Sequence, residues 1–220
     1  MNLPLIVTYG YYLQIVIISV AGIARYKTLN TAFKIFTFAN IGSIVISVAS
    51  EILVMKNKTN APVLHVEAFT DFAFYALAYY CLFNNQKIKK TIIVAVLVFV
   101  PFSVINALYL QPFNKIFPTY VNLPTLGLLA AFSLLLFKQM LLYPSKAPLL
   151  KQGVFWYNAA IIFYSTTMFL NIGLSNVFAH NPVSDLLVFY VWYIILYIFT
   201  ILVGVAIVTD SKEANKTYAV

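Results

Sequence analysis

Polar side chains that could do chemistry lie at helical spacing inside long apolar stretches of this sequence. One stripe has gaps of three, four and four residues, which place its members on a single helix face: Asn40, Ser43, Ser47 and Glu51. A second stripe with the same spacing consists of Tyr164, Thr167, Asn171 and Ser175. Glu67 and Asp71 are four residues apart and share a face, as do Asp185 and Tyr193, eight residues apart. Ionisable residues in apolar helices are costly, so we expect these faces to point into a helix bundle.

Carboxylates dominate this set, and four of them fall in or near one end of the apolar stretches: Glu51, Glu67, Asp71 and Asp185. Neither Lys nor Arg lies in the same half of any stretch, and His65 and His180 are the nearby groups that can become cationic. A buried carboxylate without a partner takes up a proton or holds a cation. We therefore predict one outward-open pocket with these ligand-binding residues: Glu51, His65, Glu67, Asp71, Asn106, Tyr164, Asn171, Asp185 and Tyr193.

Roles within this predicted pocket follow from side-chain chemistry. We expect Glu51 and Asp71 to be carboxylate ligands, with His65 as a neighbour that titrates near neutral pH. Asn171 and Tyr164 would form a polar wall. The competing interpretation is that protonated acids and amides only hydrogen-bond between helices, with Asp185 capping the last helix.

The apolar stretches that must position these residues indicate a membrane protein. The chain is 62% hydrophobic and 9% charged, whereas a soluble domain carries about 25% charged residues. Seven stretches can cross a hydrocarbon core of about 30 Å as helices, at approximately 4–24, 31–55, 61–83, 91–110, 121–142, 154–177 and 183–208. We therefore predict an all-α membrane protein, a seven-transmembrane-helix bundle over 1–208 with a tail at 209–220, and we expect Pro101 to kink the fourth helix.

The orientation of this bundle follows from its basic residues. With the N-terminus outside, the cytoplasmic side receives Arg25, Lys27, Lys34, Lys87, Lys89, Lys90, Lys138, Lys146, Lys151, Lys212 and Lys216, and the outer side receives Lys56, Lys58 and Lys115. This asymmetry predicts an outer N-terminus and a cytoplasmic C-terminus, in a bacterial inner membrane. Because the basic residues act as topology signals, the net charge of +8 does not indicate nucleic-acid binding.

Motifs of the main catalytic classes are missing from the sequence. No lysine stands in the last helix to hold retinal, and two histidines are too few for the zinc site of a ceramidase-type hydrolase. GxSxG, HExxH and Gly-rich phosphate motifs do not occur. The single cysteine, Cys81, gives no disulfide and no metal cluster. We expect no enzyme activity, no cofactor and no metal site.

Helices 2 and 3 carry a short pattern that resembles a family. Glu51 ends the second helix, and the third opens with His65, an acid six residues later at Asp71, and then Phe72. The pattern is similar to a group of uncharacterised small seven-helix bacterial membrane proteins, in which Glu usually stands at the position of Asp71 and an aromatic residue at that of Glu67. Phe155-Trp156 and Tyr164-Ser165 in helix 6 also fit. Members are often encoded beside sensor histidine kinases, so the resemblance implies a sensing or regulatory role.

Three functional hypotheses remain open from the sequence. The leading one is a membrane sensor or receptor whose pocket takes a cation, an amine or a proton, and which signals through a partner such as a histidine kinase. The second is a small transporter, which also needs an inner route, for which Asn158 and Tyr157 are the candidates. The third is a scaffold subunit in which the polar stripes only pack helices. A homo-oligomer is compatible with each hypothesis.

Overall fold

The computed structural model describes residues 3–56, 58–114, 117–145, 147–178 and 182–210, and for 175–178 and 182–185 it describes the backbone alone. These residues are all-helical, with no strand in the described ranges, which confirms the predicted helical class. The seven α-helices are α1 (Leu3–Ala24), α2 (Thr31–Met55), α3 (Ala61–Leu82), α4 (Gln86–Ile105), α5 (Thr119–Leu142), α6 (Gly153–Phe178) and α7 (Pro182–Thr209).

Helix α4 begins earlier than the apolar pattern predicts, at Gln86 instead of Thr91. Its start is capped by Asn85, whose side chain accepts a hydrogen bond from the backbone N–H of Lys87 at 2.8 Å. Lysine is a good helix former, so the basic segment joins the helix although it is not apolar. Pro101 lies inside α4, and the helix passes into a π-helical segment, Asn106–Leu110, closed by a 2.8 Å bond from Gln111 N to Asn106 O.

The chain divides into two compact units. The first comprises Met1–Asn30 and Leu126–Val220, and in it α7 packs against both α1 and α6. Thr8 of α1 donates to the Tyr193 hydroxyl at 3.1 Å, and Arg25, just after α1, donates to the Asp210 carbonyl, just after α7, at 2.9 Å. The second contact lies further along the chain than the first on both helices, so α1 and α7 run parallel. The start of α1 and the end of α7 therefore lie at opposite ends of this unit.

The second unit comprises Thr31–Thr125, and in it α3 packs between α2 and α4. Short connections join these helices, so neighbours are antiparallel. The buried α3 side chains recur every three or four residues from Ala61 to Phe72, and Phe72, Ala76 and Tyr79 are fully enclosed. Helix α3 is thus the central helix of its unit.

In the part of the chain that the structure describes, five segments are long and apolar enough to cross a membrane: Leu3–Ala24, Thr31–Met55, Gln86–Leu110, Thr119–Leu142 and Leu186–Thr209. Within the described residues, α3 and α6 do not meet this criterion. Helix α3 carries His65, Glu67 and Asp71, and α6 is interrupted by polar side chains such as Asn158 and Asn171. Both helices are long enough to cross a membrane. They are less apolar than the other five because they carry several polar side chains, including predicted site residues.

Candidate functional site

Two contacts fix how α2 and α3 are aligned. The rings of Phe36 and Tyr75 stack with their centroids 5.8 Å apart. Toward the other end of the pair, Asn60 Nδ2 donates to Ser50 Oγ at 3.0 Å. The two helices are antiparallel, so residue numbers that rise along α2 are matched by residue numbers that fall along α3. The Phe36–Tyr75 and Ser50–Asn60 contacts fit one such alignment to within one residue.

This alignment places Asp71 opposite Asn40. Asn40 follows Phe36 by four residues, and Asp71 precedes Tyr75 by four, so both lie one turn from the stacked rings on the same contacting faces. Glu67, one turn further, comes level with the turn of α2 that carries Ser43. The polar stripe of α2 therefore faces the acidic stripe of α3, and we call this surface, formed by Asn40, Ser43, Ser47, Glu67 and Asp71, the α2–α3 acidic groove.

Burial and bonding differ among the members of the acidic groove. Asn40 is only 7% exposed, and its Nδ2 has no hydrogen-bond partner among the described residues. Glu67 and Asp71 are half-buried. Lys34, at the far end of α2, is the basic residue of that helix, and α3 has neither Lys nor Arg. The groove thus combines two carboxylates with a buried amide donor, and neither helix places a Lys or Arg level with the carboxylates.

His65 lies on a different face of α3, the one that packs against α4, and Asn106 begins the π-helical segment after α4. Phe72 packs on Phe99 of α4 with ring centroids 4.3 Å apart. We call the line of contact between α3 and α4 the α3–α4 seam. His65 precedes Phe72 by seven residues and Asn106 follows Phe99 by seven, so both lie along this seam and are level with each other. His65 is 7% exposed and Asn106 is fully buried.

The end of this seam is covered by the segment that follows the π-helical turn. The Phe113 ring lies 5.5 Å from the His65 ring, and the Phe113 backbone N–H donates to Ala107 O at 2.9 Å. Neither polar atom of the Asn106 amide has a partner among the described residues. The α3–α4 seam therefore ends in a closed polar layer, separated from the acidic groove by the body of α3.

The remaining predicted site residues are Glu51 on α2 and a set that belongs to the first unit. Glu51 is half-buried in the last turn of α2. Tyr164, Asn171 and Tyr193 belong to the first unit, with Tyr164 against Phe199 of α7 at 4.8 Å. Asn171 is 4% exposed with an unpartnered Nδ2 within the described part of the chain. Asp185 lies in α7 with its side chain outside the described residues, and His180 lies wholly outside them.

The structure contains one polar cluster that the sequence analysis does not predict. Asp210, just after α7, is fully buried, and its carboxylate accepts hydrogen bonds from the Asn30 backbone N–H at 2.8 Å and from Asn30 Nδ2 at 3.3 Å. Arg25 Nη2 donates to the Asp210 carbonyl at 2.9 Å. The sequence does carry a signal for this cluster: an acidic residue follows the last apolar stretch, and an arginine follows the first. These contacts join the ends of α1 and α7.

Asn158, a candidate for an inner route, is already engaged. Its Nδ2 donates to Ser133 O at 2.9 Å, and Ser133 Oγ donates to Asn158 Oδ1 at 2.9 Å, with both residues fully buried. These two hydrogen bonds join α5 to α6 and stabilise the packing of the two helices. It gives no support to an inner polar route through Asn158.

The chain matches no protein-family model, no curated protein and no solved structure.

Proposed function

We propose that this chain is a seven-span membrane receptor that binds a small cationic ligand in the α2–α3 acidic groove and signals through a partner protein. The observation that carries the proposal is the alignment of Glu67 and Asp71 with the polar stripe of α2, on two helices that place neither Lys nor Arg in that region. Carboxylates in such a setting are most stable beside a cation. A ligand bound between α2 and α3 would favour one packing of the two helices over another. A sensor needs such a shift between two states.

The proposed topology places the N-terminus outside and the C-terminus in the cytoplasm. It is supported by the parallel arrangement of α1 and α7 and by the asymmetry of the basic residues. Helix α3, at 22 residues, is about 33 Å long at a rise of about 1.5 Å per residue, which suffices to cross the hydrocarbon core. We therefore include α3 and α6 among the spans.

Cysteine labelling tests whether α3 spans. In a Cys81→Ser background, Lys58→Cys before α3 should react with an impermeant maleimide in intact cells. Asn84→Cys after α3 should react only after permeabilisation. If both positions react from outside, α3 does not cross and the seven-span topology is wrong.

Ligand binding is tested at Asp71 in protein reconstituted into nanodiscs. Ethylammonium, titrated calorimetrically, should bind the wild type and lose roughly ten- to hundredfold in affinity with Asp71→Asn, because a charged hydrogen bond contributes about 1.5–3 kcal/mol. The matched control is Thr70→Val, whose hydroxyl bonds only to the backbone of its own helix. Equal affinity in Asp71→Asn and wild type would remove the acidic groove as the site, and would favour a scaffold in which these residues only pack helices.

The partner is proposed from the resemblance of helices 2 and 3 to proteins encoded beside histidine kinases. The test is gentle extraction of the tagged protein from native membranes, followed by mass spectrometry. A histidine kinase at near-stoichiometric yield supports the receptor. A protein that purifies alone favours the transporter hypothesis, which proteoliposome uptake of ethylammonium would then examine.

A further inference from the structure

Large apolar side chains stay exposed where α5 ends and the chain turns toward α6. Leu141, Leu142 and Tyr143 are 61–76% exposed, and Leu149 and Leu150, shortly before α6, are 45% and 63% exposed. We call residues 141–145 and 147–151 the α5–α6 connection. A contiguous exposed apolar patch of this kind marks contact with a membrane or with another protein.

The connection is held in shape by its own hydrogen bonds. Leu149–Lys151 form a 3₁₀ turn, and the indole N–H of Trp156 in α6 donates to the Leu150 carbonyl at 2.9 Å. The buried Gln152 side chain donates from Nε2 to Ala147 O at 2.6 Å. Because these backbone carbonyls are paired within the protein, the turn can enter surroundings less polar than water.

The exposed face of α5 shows where the membrane surface lies. Leu134, Lys138 and Leu141 are spaced by four and three residues and are all exposed, so they share one helix face. Helix α5 is long and apolar enough to cross a membrane, and a lysine near the end of such a helix extends its ammonium to the headgroups. The apolar residues at 141–143 follow this level directly. The α5–α6 connection is therefore continuous with the lipid-facing surface of α5.

Charge favours an anionic surface as the occupant of this patch. Lys138 and Lys151 flank the connection, and both are exposed. The sequence has neither Asp nor Glu between Asp71 and Asp185, so no acid in this part of the chain neutralises them. Lysines near an anionic membrane strengthen the binding of an interfacial segment, and exposed leucines add apolar burial. An acidic protein would have to cover the leucines at a level where lipid already surrounds α5.

We propose that the α5–α6 connection is an interfacial anchor for anionic phospholipid, with its leucines against the acyl chains and Lys138 and Lys151 beside the phosphates. The anchor requires only that α5 crosses the bilayer, so it goes beyond the receptor proposal and does not depend on the acidic groove. It also fixes the start of α6 at the membrane surface, because Trp156 bonds directly to the connection.

Fluorescence quenching measures where the connection lies. In a Cys81→Ser background, Leu150→Cys carries an NBD label, and the protein is reconstituted into vesicles of phosphatidylcholine and phosphatidylglycerol. Lipid brominated on its acyl chains should lower the emission of this label about twofold, because interfacial apolar residues reach about 5–10 Å into the headgroup and acyl boundary. Iodide present on both sides of the vesicle should quench it weakly. The matched control is a label on Asn84→Cys in the exposed connection between α3 and α4, which iodide should quench and brominated lipid should not.

Either of two results would overturn the anchor. Iodide quenching at residue 150 as strong as that at residue 84 would show that the connection lies in water. Protection of the label from both quenchers would show that protein covers the patch, which in this purified system means a second copy of the chain.

Lipid composition tests the two lysines. Vesicles of phosphatidylcholine alone should lower the ratio of lipid-inserted to solvent-exposed label, read from the two emission lifetimes, by about fivefold for each lysine. Lys138→Gln combined with Lys151→Gln should cause the same loss in the anionic vesicles, whereas Lys90→Gln, at an exposed position of α4, should not. If the ratio is equal in neutral and anionic vesicles, the lysines do not bind phosphate and the proposed preference for anionic lipid is wrong.

Discussion

The Asp210 carboxylate accepts two hydrogen bonds from Asn30, one from the backbone N–H at 2.8 Å and one from the side-chain amide at 3.3 Å. The two residues are 180 positions apart in the sequence. Asp210 follows the last residue of α7, and Asn30 precedes the first residue of α2. The loop after α1 is therefore held against the end of α7 by a fully buried carboxylate.

Asp210→Ala should lower the free energy of unfolding by about 1.5–3 kcal/mol, because charged hydrogen bonds are lost and the Asn30 N–H is left unpaired. Unfolding in mixed micelles with increasing SDS measures this loss. Asn30→Ala and the double variant complete a cycle that isolates the Asp210–Asn30 interaction. Additive effects of the two single variants would show that the side-chain pair contributes nothing beyond the backbone contact.

The sequence predicted which residues share a helix face but not which faces meet. Glu67 and Asp71 were placed together by their spacing, and the Asn40 stripe was found in the same way. Apolar side chains surround most of each helix, so periodicity does not show which side contacts a neighbour. The single predicted pocket therefore groups His65 and Asn106 with the acids, whereas His65 lies on another face of α3, level with Asn106 of the π-helical segment.

Features outside the apolar stretches were predicted least well. The start of α4 at Gln86 depends on a cap by Asn85, which a search for apolar runs does not register. Asp210 lies just beyond the last run, and its partner is distant in the chain. The π-helical turn at Asn106 depends on packing at the end of the seam and has no sequence signature among these residues.

Gly153 lies where α6 begins against the end of α7. A Cβ at this position would lie 2.7 Å from Ala206 O and 2.9 Å from Asp210 Cα, both backbone atoms that cannot rotate away. Gly153→Ala should therefore cost about 1–3 kcal/mol in SDS unfolding. The control is Gly127→Ala in α5, where nothing lies within 4 Å of the added atom, and where alanine should stabilise by about 0.5–1 kcal/mol. Equal effects of the two substitutions would contradict the close approach of α6 and α7.

Asn158 should tolerate an apolar substitution badly. Asn158→Leu keeps the side-chain volume and removes the two hydrogen bonds of the Asn158 amide with Ser133, while the Ser133 hydroxyl keeps its 3.0 Å bond to the Asn158 backbone carbonyl. We expect destabilisation of about 1–3 kcal/mol. Ser133→Ala combined with Asn158→Leu should not recover this loss, since the Ser133 hydroxyl still has the Asn158 backbone carbonyl as its acceptor in the single variant. A double variant that is more stable than Asn158→Leu would show that this backbone contact does not hold the hydroxyl.

Asn106 should respond to the same substitution in the opposite direction. It is as fully buried as Asn158, yet neither atom of its amide is paired within the described residues. Asn106→Leu replaces two unpaired polar atoms with apolar ones that continue the stripe of Ile92 and Phe99, so it should stabilise the protein by about 1 kcal/mol. The midpoint of SDS unfolding measures the change, with Asn158→Leu as the matched control of identical chemistry. If Asn106→Leu destabilises as much as Asn158→Leu, the Asn106 amide has a partner in the membrane-embedded protein, and the polar layer with His65 holds the α3–α4 seam together.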